Sequence, residues 1–109
     1  MGTSKQFIEY VTGQIKDAGI ITYRKMFGEY ALYSNNKVVA LICDNQFFAK
    51  PIPQITEFVG DCEMAPPYPG AKNHYLITDQ LEDTQWISEL IRISERYLPE
   101  RKPKKPKKI

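Results

Sequence analysis

The chain has 109 residues, of which 42% are hydrophobic and 26% are charged, a composition typical of one globular domain with a single core. Residues 1–99 contain nine Lys or Arg against twelve Asp or Glu, and residues 100–109 contain six against one, so the net charge of +2 combines an acidic body with a basic tail. An acidic body argues against a broad phosphate-binding face on the folded domain.

The cysteine pattern and the N-terminus predict a cytoplasmic protein. Cys43 and Cys62 lack CxxC spacing, and the chain runs directly into an amphipathic segment instead of a signal peptide. No apolar run approaches the roughly 18 residues of a membrane span, so we expect no membrane partner. Cys43 ends an apolar strand and is predicted to be a buried structural thiol; redox sensing is the alternative.

The first half of the chain predicts a helix followed by a meander of strands. Apolar residues at helical spacing indicate a helix over residues 4–18, with Thr3 and Gln6 spaced as in a capping box. Three β-rich runs joined by Asn-containing turns then predict an antiparallel sheet. These runs are residues 29–33, 38–43 and 46–50. The run at 38–43 is apolar without alternation, which predicts a central strand covered on both faces or by a dimer partner.

The second half predicts two further strands and two further helices. The segments are a short helix at 53–59, a weak strand at 62–64, a proline-rich loop at 65–72, a strand at 74–78 and a final helix from its Asp83 cap to Pro99. The predicted order is α-β-β-β-α-β-β-α, an α+β domain over residues 1–99. Residues 100–109 are expected to form a disordered basic tail of Lys and Pro.

The sequence contains no recognisable catalytic constellation. His74 is the only imidazole, and the Cys and His residues show no zinc-finger spacing. Capping and the helix dipole explain Glu82 and Asp83, and no phosphate-cradle motif occurs. We therefore expect a protein that is not an enzyme, with no catalytic residue, cofactor or metal. A Cys/His site, or a small-ligand site or enzyme in the cleft between helices and sheet, remains an alternative.

Two segments are unusual for connections between elements. In residues 24–30, two large apolar residues precede a glycine, which suits either a bend with Phe27 in the core or a recognition corner. In the loop at 65–72, prolines flank Tyr68, which suits either a binding contact or a cover for the sheet edge. The candidate partner-binding residues are Arg24, Lys25, Met26, Phe27, Gly28, Glu29 and Tyr30, together with Tyr68, Pro69, Gly70 and Lys72.

The basic tail has three interpretations. It is a solvated end of the chain, a nuclear import signal, or an arm that binds nucleic acid weakly by releasing counterions. The candidate nucleic-acid contacts are Arg101, Lys102, Lys104, Lys105, Lys107 and Lys108.

Several sequence blocks, in their order and spacing, resemble one known family. The blocks are Arg-Lys-Met-Phe-Gly-Glu-Tyr-Ala-Leu-Tyr at 24–33, Lys-Val-Val-Ala-Leu-Ile at 37–42, Lys-Pro at 50–51, Pro-Tyr-Pro-Gly-Ala-Lys at 67–72, and Trp86 followed by Leu90. Over about residues 5–98 the chain closely resembles the N-terminal domain of TfoX/Sxy proteins.

The resemblance implies a two-layer α/β sandwich of the secretion-chaperone-like type from a bacterial cytoplasm. Members of that family include regulators of natural competence that act with the cyclic-AMP receptor protein at promoters. Those regulators carry a second, C-terminal domain similar to helix-hairpin-helix modules, whereas this chain has only the basic tail after Pro99. It therefore looks like a stand-alone N-terminal domain, and no catalytic residue carries over from the family.

These observations together predict a regulatory or adaptor protein that binds another protein, such as a transcription factor, through the corner at 24–30, the Tyr68 loop or a sheet edge. Direct nucleic-acid binding by the tail is the alternative from a different class. The unbroken run at 38–43 and the aromatic content also predict a homodimer.

Overall fold

The computed structural model describes residues 2–26 and 28–99. The predicted tail, residues 100–109, lies outside them. The described elements, in chain order, are α1 (Lys5–Gln14), β1 (Ile21–Met26), β2 (Glu29–Ser34), β3 (Lys37–Cys43), β4 (Gln46–Ala49), α2 (Pro53–Val59), β5 (Met64–Ala65), β6 (His74–Ile77), a 3-10 helix (Asp79–Glu82) and α3 (Thr84–Tyr97).

The strands form one antiparallel sheet in the order β1-β2-β3-β4-β6-β5. The predicted α+β class with an antiparallel sheet is confirmed. β3 lies inside the sheet between β2 and β4, as its unbroken apolar sequence predicts.

The predicted three-stranded meander is incomplete, because β1 precedes it and pairs with β2 from Ile21↔Ser34 to Met26↔Glu29. The segment 24–30 therefore includes the end of β1 and the start of β2, with Gly28 in the turn between them. β1 was not predicted because its last five residues are exposed, and a strand exposed on both faces shows no alternation of apolar and polar residues.

The first helix is shorter than predicted and has a different cap. α1 ends at Gln14 instead of residue 18, because Ile15 leaves the helical region at φ −121° and ψ 17°. The N-cap is Ser4, whose Oγ accepts a hydrogen bond from the Phe7 N–H at 3.1 Å. Thr3 instead contacts the sheet.

The C-terminal elements follow the prediction with small shifts. Asp83 caps α3, as predicted, by accepting a hydrogen bond from the Trp86 N–H at 3.1 Å. The weak strand expected at 62–64 is β5, which spans Met64–Ala65 and pairs with β6. The 3-10 helix before α3 was not predicted.

Asparagine shapes the two tight hairpins on either side of β3. Asn35 and Asn36 have φ of 51° and 69°, and Asp44 and Asn45 have φ of 53° and 56°. This left-handed region is the one that primed hairpin turns need and that Asn and Asp tolerate. The predicted turns are confirmed.

The helices cover one face of the sheet. Residues that pair across neighbouring strands share a face, and the register aligns Leu32 with Ala40 and Ile42 with Phe47 on the helix side. One core joins these residues to the helices. Its fully buried large side chains are Ile8, Val11, Ile15, Leu32, Val39, Ile42, Phe47, Ile55, Ile77, Ile87, Leu90 and Ile91.

The opposite face of the sheet, here called the open face, is also partly buried. Ala31, Phe48 and Cys43 lie on it and are 2%, 3% and 4% exposed. Within the run at 38–43, four residues are buried by the chain itself and Val38 and Leu41 are half-buried, so most of its apolar character does not require a dimer partner. No helix in the described part of the chain is long and apolar enough to cross a membrane.

Candidate functional site

A groove of about 510 Å³ lies on the open face, between the end of the β1–β2 hairpin and the loop before β6. We call it the Met26–Tyr68 groove. Its lining residues are Met26, Glu29, Tyr30, Leu41, Cys43 and Tyr68. It brings the two segments singled out in the sequence, the corner at 24–30 and the Tyr68 loop, to one place.

Sheet register explains how the strand residues meet in the groove. Met26 ends β1 opposite Glu29, the first residue of β2. Leu41 and Cys43 are two apart on β3 and therefore point to the same face. Between Met26 and Glu29 the chain turns at Gly28, whose φ of +82° is one that side chains rarely adopt.

Tyr68 reaches the groove from the proline-rich loop. Pro67 is buried, which anchors the loop, and the Ala71 N–H donates to the Tyr68 carbonyl at 3.1 Å, which closes a turn. The Tyr68 side chain itself is 55% exposed and Met26 is 44% exposed. The rim of the groove thus presents two large side chains to solvent.

Glu29 is the acidic group in the groove, and one of its carboxylate oxygens accepts hydrogen bonds from within the chain. Its Oε1 accepts hydrogen bonds from the Thr3 hydroxyl at 2.7 Å and from the Asp44 N–H at 2.9 Å. These bonds hold the Glu29 side chain in place. Its role in the described structure is to fasten the N-terminal segment to the sheet.

Cys43 lies in the groove but lacks the features of a nucleophile. Burial, with smaller contributions from Glu29 and Asp44, raises the pKa of its thiol to about 11, whereas a reactive cysteine needs a lowered pKa. The prediction of a buried structural thiol is confirmed. Burial also raises the pKa of Cys62, whose Sγ lies 3.6 Å from the Leu76 carbonyl.

The other candidate residues of the corner and loop that the structure describes are not in the groove lining. Arg24 and Lys25 are exposed on β1, and Pro69, Gly70 and Lys72 are exposed on the loop. Phe27 lies outside the described residues. So do the candidate nucleic-acid contacts Arg101, Lys102, Lys104, Lys105, Lys107 and Lys108.

The sequence did not single out Leu41 or Cys43 as groove residues. Alternation along β3 places both on one face, but only the position of the Tyr68 loop shows that this face has an opening. His74 is also outside the groove lining, and its Nδ1 lies 3.0 Å from the Lys72 carbonyl.

A second groove of about 570 Å³ lies between α1 and α3. Its charged residues contact their own neighbours: Lys16 lies 3.9 Å from Asp17, and Arg92 lies 3.4 Å from Glu89. Residues 2–26 and 28–99 contain no group of three or more His, Cys, Asp or Glu side chains placed to hold a metal ion.

Comparison with known proteins agrees with the fold. The chain is 36% identical over 107 residues to an uncharacterized 12.7 kDa protein in the trpE 5′ region of Spirochaeta aurantia, a match that covers 98% of this chain and 93% of that protein. The family profile described as TfoX N-terminal domain matches residues 13–97, from the end of α1 to the end of α3. The chain therefore belongs to the TfoX N-terminal domain family.

Proposed function

We propose that this protein is a non-enzymatic regulator in the bacterial cytoplasm that acts by binding another protein in the Met26–Tyr68 groove. The observation that carries the proposal is the meeting of two sequence segments, 42 positions apart at Met26 and Tyr68, in one opening on the sheet. Membership in a family that includes competence regulators supports a regulatory role.

The chemistry of the groove suits a protein side chain. Its floor is formed by Leu41 and Cys43, and its rim by Met26 and Tyr68. Methionine adapts its shape to different partners, and tyrosine is enriched among the residues that dominate binding energy at interfaces. One or two apolar side chains of a partner would fill the space.

The same chemistry disfavours a small-molecule substrate. Small-ligand sites usually bring several polar groups to converge on the ligand. In this groove Glu29 is the only charged lining residue among those described, and its Oε1 already accepts from Thr3 and Asp44. The thiol of Cys43 stays protonated at neutral pH because its pKa is about 11.

Affinity capture with the tagged full chain tests the proposal. Tyr68→Ala and Met26→Ala should each lower the affinity for a captured partner by about tenfold or more, which corresponds to about 1.4 kcal/mol of binding free energy. The interaction is then measured by calorimetry with the purified partner. Matched controls are Tyr97→Ala and Met64→Ala, since Tyr97 is 51% exposed and Met64 is 40% exposed, and neither lines the groove.

The controls decide the result. Equal affinities for the groove variants, the control variants and the wild-type chain would contradict the proposal, provided that circular dichroism shows all of them folded.

A further inference from the structure

β1 is an edge strand with an accessible backbone. It lies at the end of the strand order and, within the described residues, pairs with β2 alone. Residues 22–26 are all exposed. The register with β2 runs without a bulge, and the strand contains no proline. It therefore lacks two of the devices by which proteins protect sheet edges.

The direction of the backbone groups follows from one hydrogen bond. The Asn35 N–H donates to the Ile20 carbonyl at 2.9 Å, so this pair belongs to the hydrogen-bonded set of the hairpin. Hydrogen-bonded and non-bonded pairs alternate in an antiparallel ladder. The N–H and C=O groups of Ile21, Tyr23 and Lys25 therefore point away from β2.

The side chains of β1 add unpaired positive charge to this edge. Arg24 and Lys25 have no ion-pair partner among the described residues, where the salt bridges join Lys16 to Asp17, Lys37 to Glu95 and Arg92 to Glu89. In the register of β1 with β2, Arg24 lies opposite Ala31 and Lys25 lies opposite Tyr30. Because successive residues of a strand point to opposite faces, the two cations lie on opposite faces of the sheet.

We propose that β1 binds an extended, acidic segment of the partner protein as an added strand of the sheet. This inference rests on the proposed function and names the form of the partner. The outward groups of Ile21, Tyr23 and Lys25 supply the main-chain hydrogen bonds, as in other complexes formed by strand addition. Acidic side chains on the two faces of the segment pair with the two cations.

A strand added to β1 would also reach the Met26–Tyr68 groove. Met26 is the last residue of β1 and part of the groove rim. A side chain of the added strand beside Met26 on the open face lies at the entrance to the groove. Backbone pairing then provides affinity, and the Met26–Tyr68 groove selects the side chain that enters.

Charge favours this occupant over a second copy of the chain. Pairing β1 with β1 would bring Arg24 and Lys25 of both copies to one seam, and the strand contains no acidic residue to balance them. Like charges on neighbouring strands are destabilising. An acidic segment would instead place opposite charges on neighbouring strands, which stabilises the pairing.

Hydrogen exchange measured by NMR on the isotope-labelled full chain tests the added strand directly. The probe is a nine-residue synthetic peptide of valine and threonine that carries glutamate at two adjacent central positions, and therefore on both faces of the extended chain, and contains one phenylalanine. In the free protein, the amides of Ile21, Tyr23 and Lys25 should exchange rapidly. With excess peptide they should slow by about tenfold, and a peptide with lysine in place of glutamate should have little effect.

Two substitutions separate backbone pairing from charge. Tyr23→Pro removes an outward N–H without removing a hydrogen bond to β2, and edge strands accept proline at such positions. Tyr23→Ala is the control for loss of the ring, which packs edge to face on Tyr30 with the ring centres 5.3 Å apart. Arg24→Glu should weaken binding of the acidic peptide by about tenfold or more. Lys16→Glu is its control, because it reverses the same charge on an exposed side chain that is not part of β1.

The outcomes are distinct. Unchanged exchange at the three outward amides, or equal effects of the two peptides, would overturn the proposal. A dimer by light scattering that Tyr23→Pro dissociates, without peptide binding, would assign the edge to a second copy and also overturn it. Partner binding that is lost in Tyr68→Ala but kept in Tyr23→Pro would overturn the added strand while leaving the groove function intact.

Discussion

The hydroxyl of Thr3 donates a 2.7 Å hydrogen bond to the carboxylate of Glu29, 26 residues later in the chain. The same hydroxyl accepts from the Asn45 N–H at 3.2 Å, and the Thr3 N–H donates to the Gly28 carbonyl at 3.0 Å. Thr3 therefore joins the N-terminal segment to both the β1–β2 hairpin and the β3–β4 turn. This junction supports one side of the Met26–Tyr68 groove.

Replacing Thr3 with valine should destabilise the fold. Thr3→Val keeps the shape of the side chain but removes the hydroxyl, which leaves the Asn45 N–H without its acceptor and Glu29 with one donor fewer. Thr3 is only 8% exposed, so the cost should be about 1–2 kcal/mol in the free energy of unfolding. Urea denaturation measures it.

Thr12→Val is the matched control, because the Thr12 hydroxyl makes an exposed bond to the Glu9 carbonyl at 3.1 Å. It should change stability by about 0.5 kcal/mol or less. Equal effects of the two substitutions would show that the Thr3 junction contributes nothing specific.

The thiol of Cys43 should make stability fall with pH in the alkaline range. Its pKa is about 11 in the folded chain against an ordinary value of 9.0. Between these values the unfolded chain releases a proton that the folded chain retains, so this contribution is fully present below pH 9 and is lost as the pH rises towards 11. Cys43→Ala should flatten the pH dependence of the free energy of unfolding relative to the wild-type chain.

Alkylation checks the same cysteine in another way. At about pH 8, iodoacetamide should modify Cys62, which is half-buried, before Cys43, which is buried. Peptide mass mapping after short exposures measures the order. Faster modification of Cys43 in the folded chain would contradict its assignment as a protected structural thiol.

Lys37 should contribute measurably to stability, unlike an exposed lysine. Its Nζ donates to the Glu95 backbone carbonyl at 2.6 Å and lies 3.8 Å from the Glu95 carboxylate, with only 17% of the Lys37 side chain exposed. This contact ties the start of β3 to the last turns of α3. Lys37→Met should lower the free energy of unfolding by about 1 kcal/mol.

Lys16→Met is the control, because the side chains of Lys16 and Asp17 are 74% and 86% exposed and such pairs contribute little. Thermal or urea denaturation of both variants compares them. If the two substitutions change the free energy of unfolding equally, the hydrogen bond from Lys37 to the Glu95 carbonyl makes no net contribution to stability.

The basic tail should account for any affinity for nucleic acid. Deleting residues 100–109 removes six positive charges and one negative charge. Binding of a duplex oligonucleotide, followed by fluorescence anisotropy, should be weak for the full chain, should decline steeply between about 50 and 200 mM salt, and should be lost in the shortened chain. Affinity that survives the deletion, or that ignores salt, would contradict tail-driven binding.

Local chemistry in the sequence was enough to predict most of the fold. The Asn-containing hairpins and the Asp83 cap depend on residues within a few positions of one another, and the apolar run of β3 marks an interior strand by composition alone. The resemblance at residues 24–42 and 67–72 pointed to the family that the comparison then showed.

Where a prediction failed, the deciding contacts lie far apart in sequence. α1 stops at Gln14 although Ile15 and Ala18 continue the apolar pattern, because both residues pack on the core from a non-helical turn. Ser4 takes the cap because Thr3 is held by Glu29.

The sequence by itself determined the α+β class, the tight turns, the interior strand and the segments of unusual composition. Only the tertiary structure decided that Ile21–Met26 is a strand, because an exposed edge carries no periodic signal and is defined by its pairing with β2. Likewise, only the tertiary structure brought Met26, Leu41 and Tyr68 together, since sheet register and the packing of a distant loop set that meeting, and neither is encoded in any local pattern.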